Sequence, residues 1–194
     1  MGVYLNPGNV DFQEVLNSKI YVDKSELIQY TNSVLRTTQK YICVSRPRRF
    51  GKSMAANMLT AYYSRGCDSR EMFQGLKIAK HTGFEKHLNQ YNVIHLNMRD
   101  YLTESENMKQ LIQFVEEDLL DELQQEFADL RMPRRRTLVK VLEQAFAQYK
   151  IPFVFIIDEW DCIFRVHKSD AASQKTYLDF LRNLLKDKSY IALA

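Results

Sequence analysis

Two short stretches of the sequence carry residue types that handle phosphate. The first is "RPRRFGKS", residues 46–53. A phosphate-binding loop of the pattern G-x-x-x-x-G-K-S/T ends in the three residues found here as Gly51, Lys52 and Ser53. The glycine lets a phosphate come close to the main chain, the lysine reaches the β- and γ-phosphates, and the serine hydroxyl suits Mg²⁺. The second stretch is "FVFIIDEWD", residues 153–161, an apolar run that ends in Asp158 and Glu159. An aspartate at the end of a buried strand can hold Mg²⁺, directly or through water. A glutamate beside it can orient and deprotonate an attacking water.

The first stretch departs from the strict pattern, because Arg46 stands where the first glycine belongs. A positive φ at that place would cost a non-glycine residue about 1 kcal/mol. Pro47 biases Arg46 toward extended geometry, so the preceding strand is expected to run one residue further before the loop turns. Either stretch alone has a bland reading, a basic turn in one case and a strand meeting solvent in the other. Together they form the two halves of one mechanism. Residues 46–54 and Asp158 are therefore the expected nucleotide site. Arg48, Arg49, Phe50, Gly51, Lys52, Ser53 and Met54 contact the nucleotide, Ser53 and Asp158 hold Mg²⁺, and Glu159 with Lys52 serves catalysis.

The elements that must position these residues follow from periodicity. "KYICVS" (40–45) reads as a buried strand leading into the loop, and "KSMAANMLTAYYS" (52–64) as the helix leaving it, with Gly66 just beyond its end. "DKSELIQYTNSVL" opens with Asp23 and has Glu26 three places on, which predicts a capping-box start to a helix. "NVIHLNM" (92–98) and "IPFVFIID" (151–158) read as strands, and "YIALA" (190–194) as a strand at the end of the chain. Helical patterns cover about 104–130, broken by Pro133, then 137–149 and 174–185. Strands alternating with helices predict an α/β fold with a mostly parallel sheet and ligands at the strands' C-terminal ends.

Composition narrows the class. The 194 residues are 45% hydrophobic and 26% charged with a net charge of +3, as in an ordinary globular domain without a general affinity for polyanions. Cys43, Cys67 and Cys162 are far apart and form no C-x-x-C pair, which argues against a zinc ribbon or a disulfide framework and suits a reducing cytoplasm. His81, His87, His95 and His167 show no metal-ligand spacing. No apolar run approaches the length of a membrane span, and no signal peptide is visible. "RMPRRRT" gathers Arg131, Arg134, Arg135 and Arg136. A solvated helix junction is the preferred reading, with a nucleic-acid contact left open.

"YVDKS" (21–25), "MFQGLKI" (72–78), "SRPRRFGKS" (45–53) and "DEWD" (158–161) together resemble the AAA-ATPase-like family of bacterial proteins. Its members carry similar motifs in the same order, and an arginine at the first loop position is normal there. Ser25 and Trp160 are small departures, where threonine and tyrosine are common. The resemblance implies a three-layer P-loop NTPase sandwich, ATP or ADP as ligand with Mg²⁺, and Tyr21–Ser25 near the adenine. By the same resemblance, residues 1–36 precede an ATPase core at 37–194 that stops after the strand following Walker B. A sensor segment, a lid and a C-terminal nuclease-like or regulatory domain would then be missing. The strand "YIALA" should be central, between "KYICVS" and "PFVFII", and "KYICVS" should be an exposed edge through which copies can associate as a homo-oligomer.

The function these expectations describe is a nucleotide switch with slow ATP hydrolysis. Two rivals stay open: a non-catalytic nucleotide-binding module, and a P-loop kinase that phosphorylates a small acceptor. Glu159 weighs against the kinase, because activating water is a hydrolase's requirement.

Overall fold

The structure is a computed structural model and describes residues 2–45 and 50–194. The chain divides into two compact units. The first comprises Met1–His95, Ile151–Ile156 and Ile191–Ala194; the second comprises Leu96–Lys150 and Ile157–Tyr190.

The first unit is built around a three-stranded sheet in the order β1 (Asn92–Asn97), β2 (Phe153–Asp158), β3 (Ile191–Leu193). β2 and β3 run parallel, with Phe153 opposite Ile191 and Val154 opposite Leu193. Every residue of β3 and the first four of β2 are buried, as strands covered on both faces must be. Against this sheet packs a core drawn from α1 (Val10–Leu16), α2 (Glu26–Val34), α3 (Lys52–Tyr63), the short helix α4 (Arg70–Phe73) and the 3₁₀ turn Lys77–Lys80. The short helix α5 (Phe84–His87) completes it.

Two fully buried tyrosines fix α3 to its neighbours. Thr31 and the Tyr63 hydroxyl lie 2.7 Å apart, Tyr63 donates to Asn32 Oδ1 at 2.7 Å, and Asn32 donates to the Tyr62 hydroxyl at 3.0 Å. Tyr62 in turn donates to the Phe84 carbonyl at 2.6 Å. The Thr31, Tyr62 and Tyr63 hydroxyls all have partners, so burying both phenols leaves neither unsatisfied. Desolvation pushes the Tyr62 phenol up to about 12.

The second unit is helical. α7 (Met108–Glu126) buries Leu111, Val115, Leu119 and Leu123, one residue per turn, and packs on α6 (Met98–Glu104), α8 (Leu138–Tyr149) and α10 (Ala171–Leu185). α9 (Cys162–Val166) touches α6 and α10. Asn107 caps α7 by accepting from Gln110 N at 3.1 Å, and Asp170 caps α10 by accepting from Ser173 N at 3.0 Å. No helix among the described residues is long and apolar enough to cross a membrane.

Four expectations need correction. "KYICVS" is not a strand and is not buried: Tyr41, Cys43 and Val44 are exposed. It does lie along β3, where Ala194 N donates to the Lys40 carbonyl at 3.0 Å and Ile42 N donates to the Ala194 carbonyl at 2.8 Å. That is one rung of a parallel ladder, and one rung does not make a strand. β3 therefore ends the sheet instead of lying between two strands. The helical tract expected over about 104–130 is the shorter α7, which starts after its cap Asn107 and ends at Glu126, while α6 ends at Glu104. The helix expected from Asp23 begins at Glu26, and the aspartate does not cap it.

Candidate functional site

In the first unit the loop's last residues stand at the mouth of α3. Gly51 has a φ of 73° and is the N-cap, and its carbonyl accepts from Ala55 N at 3.0 Å. A left-handed residue here turns the chain sharply into the helix, which glycine does without steric cost. Lys52, Ser53 and Met54 follow as the first turn, at the positive end of the helix dipole. Ser53 and Met54 are exposed and Lys52 is half-buried. Further along, Met58 and Tyr62 enter the core as the helical spacing predicts, while Met54 stays 40% exposed beside the loop. Phe50 is 61% exposed. Arg48 and Arg49, expected to contact the nucleotide, lie outside the described residues, as do Arg46 and Pro47.

The "YVDKS" stretch comes to this loop. Asp23 Oδ1 accepts from Ser25 N and Oδ2 from Lys77 N, each at 2.8 Å, and the buried Ser25 Oγ accepts from Ile78 N at 3.1 Å. These bonds tie the residues on either side of Lys24 to the turn at 77–80. Lys24 Nζ then donates to the Phe50 carbonyl at 3.0 Å. A Cβ added to Gly51 would sit 3.1 Å from the same Nζ. The sequence reading placed this stretch near the adenine and gave Asp23 to helix capping, and so missed Lys24. The one signal was the motif itself, with a lysine between two small polar residues that prefer turns.

Asp23 has a measurable signature. Burial works to raise its carboxyl, but hydrogen bonds from Ser25 and Lys77 outweigh that and hold it below the usual range. A depressed carboxylate adds stability above the ordinary aspartate value near pH 4, and the addition is lost as pH falls through the lowered native value. Asp23→Ala should therefore cost about 1 kcal/mol near neutral pH. The gap between variant and wild type should narrow toward pH 3 in denaturant titrations. A gap independent of pH would show that the carboxylate does not anchor the turn.

In the second unit, Asp158 closes β2 and Glu159 begins the turn into α9. Glu159 has a φ of 52°, a left-handed conformation that costs a non-glycine residue about 1 kcal/mol. The turn is held by Cys162 N donating to the Glu159 carbonyl at 2.9 Å and by Glu159 N donating to Asp158 Oδ1 at 2.9 Å. Arg165 grips the Glu159 carboxylate through Nη2 in a short ion pair, and its Nη1 lies 3.4 Å from Asp161 Oδ2. The hydrogen bond to Glu159 raises the guanidinium further above its ordinary value. Arg165 was also missed. Only its i,i+4 spacing from Asp161 hinted at it.

Beneath this turn, burial pushes the Cys162 thiol up to about 11. The Tyr177 hydroxyl is buried without a hydrogen-bond partner. Trp160 packs edge-on against Phe164 at 5.9 Å, and Phe164 edge-on against Tyr177 at 6.2 Å, so the "DEWD" turn adjoins a row of edge-to-face aromatic rings.

The remaining candidates have ordinary surroundings. Arg131, Arg134, Arg135 and Arg136 are exposed in the segment between α7 and α8. His87 Nδ1 lies 2.7 Å from the Tyr91 hydroxyl and His95 Nδ1 3.1 Å from Thr60 Oγ1. The described residues contain no group of three or more His, Cys, Asp or Glu arranged to hold a metal by themselves. Ser53 and Asp158 each carry a hard oxygen of the kind Mg²⁺ prefers.

The family model described as predicted AAA-ATPase, AAA-ATPase-like, matches residues 7–191. The chain belongs to this family. No curated protein matches the chain, and no solved structure does. For an AAA-ATPase-like protein, the α/β architecture with its small parallel sheet is compatible with a P-loop fold, and the family's name points to nucleotide chemistry.

Proposed function

We propose that this chain binds MgATP as the nucleotide-binding core of an AAA-ATPase-like switch and hydrolyses it slowly. In this reading residues 37–194 make a P-loop NTPase core, with residues 1–36 preceding it. Phe50, Gly51, Lys52, Ser53 and Met54 take the phosphates, joined by Arg48 and Arg49. Ser53 and Asp158 are the Mg²⁺ ligands. The observation that carries the reading is Gly51 at φ 73° opening α3, with Lys52 and Ser53 in the helix's first turn. Family membership over residues 7–191 supports it.

Each residue's task follows from its chemistry. The N-terminal turn of α3 presents the positive end of its dipole to an anion. The Lys52 ammonium adds a full charge that draws in the β- and γ-phosphates. Mg²⁺, when bound, neutralises charge that builds up on the phosphate oxygens. Glu159 takes a proton from water as the oxygen attacks the γ-phosphorus, and the bond from that phosphorus to the ADP oxygen breaks. Arg165 keeps the Glu159 carboxylate directed while it waits, and the strained turn is retained because it presents that carboxylate at the strand's end.

Calorimetric titration with ATP, ADP and GTP, each with and without Mg²⁺, tests this reading. Saturable binding of ATP and ADP, tightened by Mg²⁺, is the expected result. Heats indistinguishable from dilution with all three nucleotides would end it.

A further inference from the structure

We infer that Lys24 is a positioning residue of the phosphate loop, setting the Phe50–Gly51 peptide so that its N–H is available to a phosphate. The inference rests on the nucleotide reading above and extends it to a residue from a different part of the chain. Three observations carry it. Asp23 and Ser25 are pinned to Lys77 and Ile78, so the residue between them cannot drift with its backbone. Lys24 Nζ donates to the Phe50 carbonyl at 3.0 Å. The space a Gly51 side chain would need is the space the Lys24 ammonium approaches, at 3.1 Å.

The consequence comes from peptide geometry. In a planar trans peptide the C=O and the following N–H point to opposite sides. Holding the Phe50 oxygen toward Lys24 therefore turns the Gly51 N–H away from Lys24. Without that hold, the peptide before a glycine is free to flip, because Gly51 has no Cβ to oppose it. A loop whose N–H groups must be aimed before the ligand arrives loses affinity when one peptide is left to wander. A Cβ at Gly51 would press on the Lys24 ammonium, which would have to give by a few tenths of an ångström, so a side chain at 51 disturbs the Lys24 contact as well as the φ.

The test uses the full chain carrying Lys24→Met or Lys24→Arg, with Lys52→Ala as reference, and reads MgADP affinity by calorimetry and melting without nucleotide. The Lys24 hydrogen bond is exposed, so its loss should move the nucleotide-free Tm by no more than about 2 °C. Lys24→Met should weaken MgADP about tenfold, the equivalent of one charge-assisted hydrogen bond's worth of aim. Lys24→Arg, which can still reach the carbonyl, should recover most of that. If Lys24→Met binds MgADP like wild type while Lys52→Ala does not bind, the inference is wrong and the nucleotide reading stands. If affinity falls only in step with a large drop in Tm, Lys24 is a general structural residue and the inference is also wrong. Should Lys52→Ala bind as tightly as wild type, the nucleotide reading itself fails.

Discussion

Lys52→Ala should abolish measurable nucleotide binding, the largest effect expected of any single substitution in this chain. Lys52 sits in the first turn of α3 next to the left-handed Gly51, so it brings a full positive charge to the residues that open the helix. A ligand that binds only the folded state, present at about a hundred times its dissociation constant, adds about 2.7 kcal/mol of stability. For a protein of this size that amounts to several degrees in Tm. Wild type should therefore melt higher with MgATP than without, and the variant should melt at one temperature in both conditions. Equal shifts in the two proteins would remove Lys52 from the site.

Glu159→Gln should leave nucleotide affinity within a few-fold of wild type and slow hydrolysis by about 10²–10⁴-fold, the usual contribution of a general base. Asp158→Asn should behave differently, weakening the dependence of binding on Mg²⁺. Arg165→Ala gives the comparison that links the carboxylate to its partner. Because Arg165 grips Glu159, its removal should lower kcat while leaving the KM for MgATP nearly unchanged. In the Glu159→Gln background the same change should do almost nothing, since two residues acting through one carboxylate are not additive. Additive losses would mean that Arg165 serves the fold of α9 and not Glu159. Unchanged turnover in Glu159→Gln would leave the glutamate as a strand-end carboxylate.

How much of this was legible in the sequence depends on the range of the interactions involved. β2 and α3 could be read directly, because burial on both faces writes an unbroken apolar run and the helix writes its own period. The family could be read too, because its motifs are short and contiguous. "KYICVS" misled for a reason of partnership. β propensity names a segment that would pair well, but whether it becomes a strand depends on how many rungs its neighbour offers, and β3 offers one through Ala194. Asp23 misled because the same side chain can cap a helix or tie two turns together, and the deciding donor, Lys77 N, lies far away in sequence. Lys24 and Arg165 were hidden for that reason as well. A long charged side chain carries no periodic signature, and its role appears only when folding delivers a carbonyl or a carboxylate to its tip.

The first unit draws its sheet from chain segments separated by most of the sequence: Asn92–His95, Phe153–Ile156 and Ile191–Leu193. That arrangement sets an order of events during synthesis. When the ribosome has delivered residues 1–95, the helices that carry the phosphate loop exist as sequence, but two of the three strands they must cover do not. Their apolar faces, including Phe12, Ile28, Met58 and Tyr62, have no complete sheet to rest on until residues 191–193 emerge. In the second unit α7 packs on α6 and α8, its neighbours along the chain, and these helices can form earlier, since short-range contacts close with little loss of chain entropy. Pulse-labelled hydrogen exchange during refolding should thus find α7 and α8 protected before α3. A chain released early by a stop codon near residue 190 should expose the first unit's core and be cleared or aggregate. Completion of β3 is then the step that finishes the sheet behind α3, and a stalled chain ending before it should bind no nucleotide.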